Sequence, residues 1–153
     1  MDRSVYIDTS VVGGNFDEEF ELWTKLFFDA VKHGEYTIAI SDLLTQELKL
    51  AGEQVRSFLD QIPNRHKIYV ELTEESENLA QAYINNGIVG IKSITDCRHI
   101  ATATVNKIEL LTSWNFKHIV NLNKIHLYNG INLQKGYRTI EIRTPREIVN
   151  YEE

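Results

Sequence analysis

Cysteine is almost missing from this chain, where Cys97 stands alone. A single thiol excludes an internal disulfide and a Cys-based zinc site, and it suits a reducing compartment. Proline numbers only 2 and glycine 8, which argues against a fibrous or disordered chain. No apolar run approaches the roughly 20 residues that a bilayer span needs, so no membrane role is expected. The stretch from Met1 to Asp8 lacks the apolar segment of a secretory signal, and cytoplasmic residence is the expectation. Histidines 33, 66, 99, 118 and 126 form no HExxH pairing, which speaks against zinc hydrolysis. No GxGxxG, Walker A or GxSxG segment occurs, so dinucleotide binding, NTP binding and a serine nucleophile elbow have no support.

What is present is an ordinary globular composition. Of 153 residues, 42% are hydrophobic and 25% charged, enough for one domain spanning 1–153 with a real core. The net charge of −6 is not the footprint of a protein that coats nucleic acid. Its distribution is uneven. Residues 1–91 hold 7 Lys and Arg against 16 Asp and Glu, whereas residues 92–153 hold 9 against 6. A metal-binding acid cluster beside a phosphate-binding surface fits this split; a solvated acidic helix surface with a mildly basic tail fits it too.

Hydrophobic periodicity predicts alternating strands and helices. Val5-Tyr6-Ile7 reads as a buried strand delivering Asp8 at its end. Asp17 to Lys32 has helical spacing, with Gly34 as its stop. Tyr36 to Ile40 reads as a strand ending at Ser41-Asp42, and Leu43 to Ala51 as a helix. A short helix from Gln54 to Ile62, a strand from Ile68 to Leu72 and a helix from Thr73 to about Gly87 follow. Ser93 to Asn106 reads as a helix and Ile108 to Thr112 as a strand ending at Ser113-Trp114-Asn115. Ile140 to Ile142 reads as a last strand, and Pro145 suits the first position of a terminal helix. Such alternation predicts an α/β fold on a parallel sheet. Right-handed crossovers would put Asp8, Ser41 and Ser113 on one edge, outside the carboxyl ends of the strands, where such sheets bind ligands.

Four residues at or near that edge carry candidate chemistry, each with a competing role. Asp8 is a hard oxygen donor on a rigid strand end, with the Ser10 hydroxyl placed to orient it; it equally suits a helix cap. Glu47 borders the apolar face made by Leu44 and Leu48, or is an exposed acid paired with a lysine. Asp96 opens a helix poor in surface charge, or completes a capping box with Ser93. Asn115 offers a neutral oxygen past a strand end, or caps the segment after it. Three converging carboxylates call for a divalent cation, and an all-oxygen set suits Mg²⁺ or Mn²⁺. Phosphodiester hydrolysis by activated water is the chemistry that follows. Lys92, Arg98 and Lys117 could hold phosphates, and Trp114 and His118 could meet bases; packing or surface roles compete for each. His99 and Cys97 read as structural.

The chain resembles the PIN domain family, in its branch of VapC-like toxins. The resemblance rests on Tyr6-Ile7-Asp8-Thr9-Ser10, on Ser41 with Glu47, on Asp96-x-x-His99-Ile100-Ala101-x-Ala103, and on Leu111 to Ile119 with Ser113-Trp114-Asn115 at its centre. It covers a core of about 4–121, with 122–153 as a C-terminal extension that is similar to one subgroup between Asn129 and Val149. It implies a three-layer α/β fold, a central parallel sheet with helices on both faces. It implies an endoribonuclease that uses Mg²⁺ or Mn²⁺ held by Asp8, Glu47 and Asp96, with Asn115 in the catalytic set and Ser10 and Ser113 supporting it. RNA cut to a 5′-phosphate and a 3′-hydroxyl, a homodimer and a small antitoxin partner are implied as well. Asn115 stands where many members carry Asp, which bears on a second cation. Two other classes stay open: a PIN-like protein that binds RNA or a partner without cutting, and a DNA flap-type nuclease.

Overall fold

In the computed structural model, residues 3–150 are described. Strand β1 (Arg3–Ile7) leads into helix α1 (Thr9–Gly14) and helix α2 (Glu21–Lys32). Strand β2 (Tyr36–Ser41), helices α3 (Asp42–Lys49) and α4 (Glu53–Phe58), and strand β3 (Lys67–Val70) follow. Then come α5 (Glu74–Asn85), α6 (Ile94–Val105), β4 (Leu110–Thr112), α7 (Leu122–Gln134), β5 (Glu141–Arg143) and α8 (Pro145–Asn150).

The sheet has five parallel strands in the order β3-β2-β1-β4-β5. A strand buried on both faces alternates its apolar side chains between two cores. Val5, Ile7, Ile38 and Ile40 face one core with Val11, Phe27, Phe28, Leu44, Leu48 and Ile148, from α1, α2, α3 and α8. Tyr6, Ala39 and Leu111 face the other, with Leu79, Tyr83, Ile100 and Tyr128 from α5, α6 and α7. Helices thus cover both faces. The chain works outward from β1 to β3, then crosses over to add β4 on the other side of β1. The order reverses between β1 and β4, and an open α/β sheet has its crevice at such a switch point.

Several local expectations hold with adjusted bounds. Gly34, at φ 84°, ends α2, and the Glu35 amide reaches back to the Ala30 carbonyl, closing the helix as a glycine C-cap does. The helix begins at Glu21 rather than at Asp17, because residues 17–20 form turns. Pro145 does open the terminal helix. Helices α1 and α7 have no counterpart in the patterning. α1 is one short segment with two glycines, nucleated by Asp8 at its cap. α7 carries Leu122, Leu127 and Leu133 exposed and Asn132 fully buried, so its sequence shows no clean apolar stripe. The Tyr83 hydroxyl donates to the Asn132 side chain and satisfies it in the core. β5 pairs with β4, so residues beyond 121 complete the sheet.

Candidate active site at the switch point

Asp8 follows the last residue of β1, and its side chain is 4% exposed. Its Oδ1 accepts from the Ser10 hydroxyl at 2.6 Å and from the Val11 amide at 3.3 Å. Its Oδ2 accepts from the Ser113 hydroxyl at 2.6 Å. Cap and strand-end acid are therefore the same residue. Burial pushes the Asp8 carboxyl above the usual carboxylate range, and the field of His99 and the bonds from Ser10, Ser113 and Val11 only partly offset it. The two serines also tie the ends of β1 and β4 together. The Trp114 amide donates to Ser10 Oγ and the Asn115 amide to Ser113 Oγ, both at 2.9 Å.

Glu47 lies in the second turn of α3, which Ser41 caps by accepting the Leu44 amide at 3.1 Å. Among the described residues it pairs with no lysine. Its Oε1 sits 2.6 Å from Nε2 of His99, a buried side chain of α6. Burial raises the Glu47 carboxyl, but the bond and field of His99 outweigh that and hold it below its ordinary value. Asp96 occupies the first turn of α6, one helical turn before His99, so both point from one face. Ser93 makes no side-chain cap bond, so the capping box is not formed. Burial again raises the Asp96 carboxyl; His118, His99 and the Asn115 side chain pull it back, and Glu47 pushes it up. Asn115 fills its capping role as well, since Oδ1 accepts from the Lys117 and His118 amides at 3.2 and 3.0 Å.

The edge thus gathers Asp8, Glu47, Asp96, Asn115, Ser10 and Ser113 into one group linked by hydrogen bonds and fields. Among the described residues, no three His, Cys, Asp or Glu side chains close up into a ready cation cage. Arg98 is drawn away: its guanidinium grips Glu77 of α5 through Nε at 2.7 Å and Nη2 at 2.8 Å. Lys117 is exposed, and its carbonyl accepts Lys124 Nζ at 2.8 Å, which in turn lies 3.5 Å from Nδ1 of His118. Lys124 carried no signal in the sequence, because it sits on the unpredicted α7. The Asp96–His99 spacing was the available pointer to the pairing with Glu47.

Trp114 packs rather than facing solvent. It stacks on Phe20 at 4.3 Å and donates through Nε1 to Thr24 Oγ1 at 2.9 Å, while neighbouring Phe116 is the exposed aromatic. Cys97 is buried, and burial pushes its thiol up to about 12. Gly14 lies under this loop, where an added Cβ would meet Thr24 Oγ1 at 2.6 Å and Trp114 Nε1 at 2.8 Å. Gly14→Ala is expected to cost about 1–3 kcal/mol, the usual range for overpacking, and to shift the tryptophan. Urea melts and the Trp fluorescence maximum check this; an unchanged midpoint and spectrum would mean the loop gives way freely. A separate 570 Å³ cavity opens at the opposite end of the sheet, lined by Arg3, Arg143 and Arg146 among others, and shares no residue with the acids.

No protein-family model matches the sequence, and no curated protein matches it. Solved structures do share its fold. VapBC2 from Rickettsia felis, bound to a fragment of promoter DNA, superposes with a TM-score of 0.54 at 12% identity, over 92% of this chain and 98% of that one. FitAcB from Neisseria gonorrhoeae gives 0.56 at 12% identity over 92% and 97%. FitAB bound to an IR36 DNA fragment gives 0.57 at 11% identity over 93% and 95%. The fold is a PIN-like α/β fold, five parallel strands between two helical layers. What the chain shares with these three solved structures is the fold.

Proposed function

We propose that this chain is a metal-dependent endoribonuclease, the toxin of a toxin–antitoxin pair. What supports the reading is that Asp8 at the end of β1 is tied to Ser113 at the end of β4, with Asp8, Glu47 and Asp96 all within the field of His99. Among the described residues neither Asp8 nor Asp96 has a Lys or Arg ion pair, and their hydrogen bonds and the nearby histidines only partly offset burial. Hard oxygen donors lacking a counterion suit Mg²⁺ or Mn²⁺. Bound there, the ion would lower the pKa of a water and neutralise charge on a phosphoryl oxygen.

The protein's own part is positioning and charge. Ser10 and Ser113 fix the Asp8 carboxylate so that it has little freedom to lose when it binds. Glu47 and Asp96 complete the anionic set. Asn115 spends its oxygen on backbone amides, which favours one cation over two. Lys117 and Lys124 put positive charge beside His118, on the same side as Asp96, and would hold the phosphates flanking the cut. Arg98, committed to Glu77, is the weakest of the substrate candidates. The reading includes a small antitoxin, a homodimer and a cytoplasmic setting, and the neighbours that crystallised as VapBC2 and FitAB support the antitoxin.

End-labelled structured and unstructured RNAs, incubated with Mg²⁺, Mn²⁺ or EDTA, test the activity. Metal-dependent cuts leaving 5′-phosphates support it. Cleavage of branched DNA but not RNA would move the assignment to a flap-type nuclease, and RNA binding without cuts would make the protein a binding module.

A further inference from the structure

Four of the 7 Lys and Arg in residues 1–91 fall between Lys49 and Lys67, where only Glu53 and Asp60 oppose them. That segment is a basic island in an otherwise acidic half. The fold wraps it around a groove of 250 Å³ between α3, α4 and β3, the outermost strand of the sheet. The buried side chains of Ile40, Leu48 and Leu59 form the floor. Lys49, Arg56 and Lys67 stand at the rim with one acid, Asp60. Lys67 Nζ is tied to the Leu59 carbonyl at 3.1 Å. Among the described residues Lys49 and Arg56, both exposed, form no ion pair.

Tyr69 completes the rim and departs from the pattern of its strand. The register sets Lys67 beside Ile38 and Tyr69 beside Ile40, so both point to the face where α1, α2 and α3 pack. A parallel strand covered on both faces carries apolar residues at such positions. Here they are a cation and a phenol, and Tyr69 is 70% exposed. An aromatic ring in solvent beside unpaired cations suits a single strand of nucleic acid, whose bases stack on the ring while its phosphates meet the cations. The groove is smaller than the roughly 300–1,000 Å³ of sites for whole small molecules, so it takes one base rather than a complete ligand. A duplex keeps its bases inside the stack and has none to offer.

Resting on the nuclease reading above for the identity of the strand, we propose that this groove holds one base of a single-stranded RNA against Tyr69, with Lys49 and Arg56 on the neighbouring phosphates. Helix α3 separates the groove from the acids. Thr45 and Lys49 line the groove, whereas Glu47, two residues from each and so about 200° round the helix, meets His99. A helix is roughly 10 Å across, so the held base lies a few nucleotides away from the cut.

Anisotropy of a fluorescein-labelled, unstructured RNA, read with the full chain in EDTA, tests strand binding apart from cleavage. Wild type binds the strand, and binds a duplex of the same sequence more weakly. Tyr69→Ala weakens strand binding about tenfold or more, and Tyr69→Phe, which keeps the ring, preserves it. The double variant Lys49→Gln, Arg56→Gln also weakens it and lowers the slope of log affinity against log salt by about 1.4, two phosphates at roughly 0.7 each. All three side chains are exposed, and urea midpoints equal to wild type establish that the variants are folded.

A wild type that binds no strand, a duplex bound as tightly as the strand, or folded variants with unchanged affinity and salt slope overturn the proposal. Displacement of the RNA by polyglutamate as readily as by unlabelled strand overturns it too, because the groove would then read the charge of an acidic peptide. Cleavage in Mn²⁺ separates the two readings. A wild type that cuts, beside groove variants that bind as it does, leaves the nuclease reading standing and the groove without a role. Groove variants that lose the strand, in a protein that cuts nothing, uphold the groove while the nuclease reading falls.

Discussion

Asp96→Asn is expected to slow cleavage about a hundred- to a thousand-fold and, at the same time, to raise the thermal stability of the metal-free protein at neutral pH. The second half follows from linkage. Burial holds the Asp96 carboxyl above its ordinary value in the fold, against the pull of His118, His99 and Asn115. A group whose folded pKa is raised contributes stability that is fully present below the unfolded pKa and is lost as pH rises through the folded value. At neutral pH the ionised Asp96 is therefore a liability, and a neutral amide of the same shape removes it. The advantage of the variant should shrink as pH is lowered through the carboxylate range, where the wild-type acid becomes neutral as well. The activity loss follows from removing one of the three proposed anionic ligands. A metal ion supplies several kcal/mol of transition-state stabilisation, and each ~1.4 kcal/mol is tenfold in rate, so a loss of about a hundred- to a thousand-fold is the expected scale. Melting curves at acid and neutral pH, beside single-turnover cleavage, check both halves. A variant that is both active and less stable would mean that Asp96 is an ordinary helix-start acid.

Divalent cation should stabilise the wild-type fold, and more so as pH rises from acid to neutral. Binding to the folded state alone adds about 2.7 kcal/mol at a hundred times the dissociation constant. In a chain of this length each kcal/mol moves Tm by about 2–4 °C. The sign with pH is set by competition: cation and proton seek the same oxygens of Asp8 and Asp96, and burial raises both carboxyls, so protons hold on to a higher pH than on an exposed acid. EDTA should reverse the shift. Asp8→Asn and Asp96→Asn should each remove most of it, and equal shifts in these variants and wild type would place the ion elsewhere.

Much of this arrangement was legible in the sequence, and its gaps have physical causes. Asp8 and Ser113 could be placed because each follows an apolar strand, and strand ends in a parallel sheet fall on one edge. The fold class came from the alternation of periods. Residue-level partners were harder. For Glu47 a surface-acid role stayed open beside the site role, because a helix pattern shows which face is apolar but not which residue of another helix will meet it. His99, 52 positions away, supplies that partner. The Ser93-x-x-Asp96 pattern suggested a capping box, yet a turn of 3-10 helix at Ile91–Ser93 leads into α6 and Ser93 makes no cap bond. α7 stayed hidden because its buried Asn132 and exposed leucines break the amphipathic signal, and with it went Lys124.

The central claim is that Asp8, Glu47 and Asp96 share one divalent cation. Crystals of the wild-type chain soaked in Mn²⁺ and measured at a wavelength where manganese scatters anomalously test it most directly. The account predicts one strong anomalous peak at the carboxyl ends of β1 and β4, ligated by oxygens of those three residues and absent from Asp96→Asn crystals. A peak bound by other residues, or none there at saturating Mn²⁺, would contradict it.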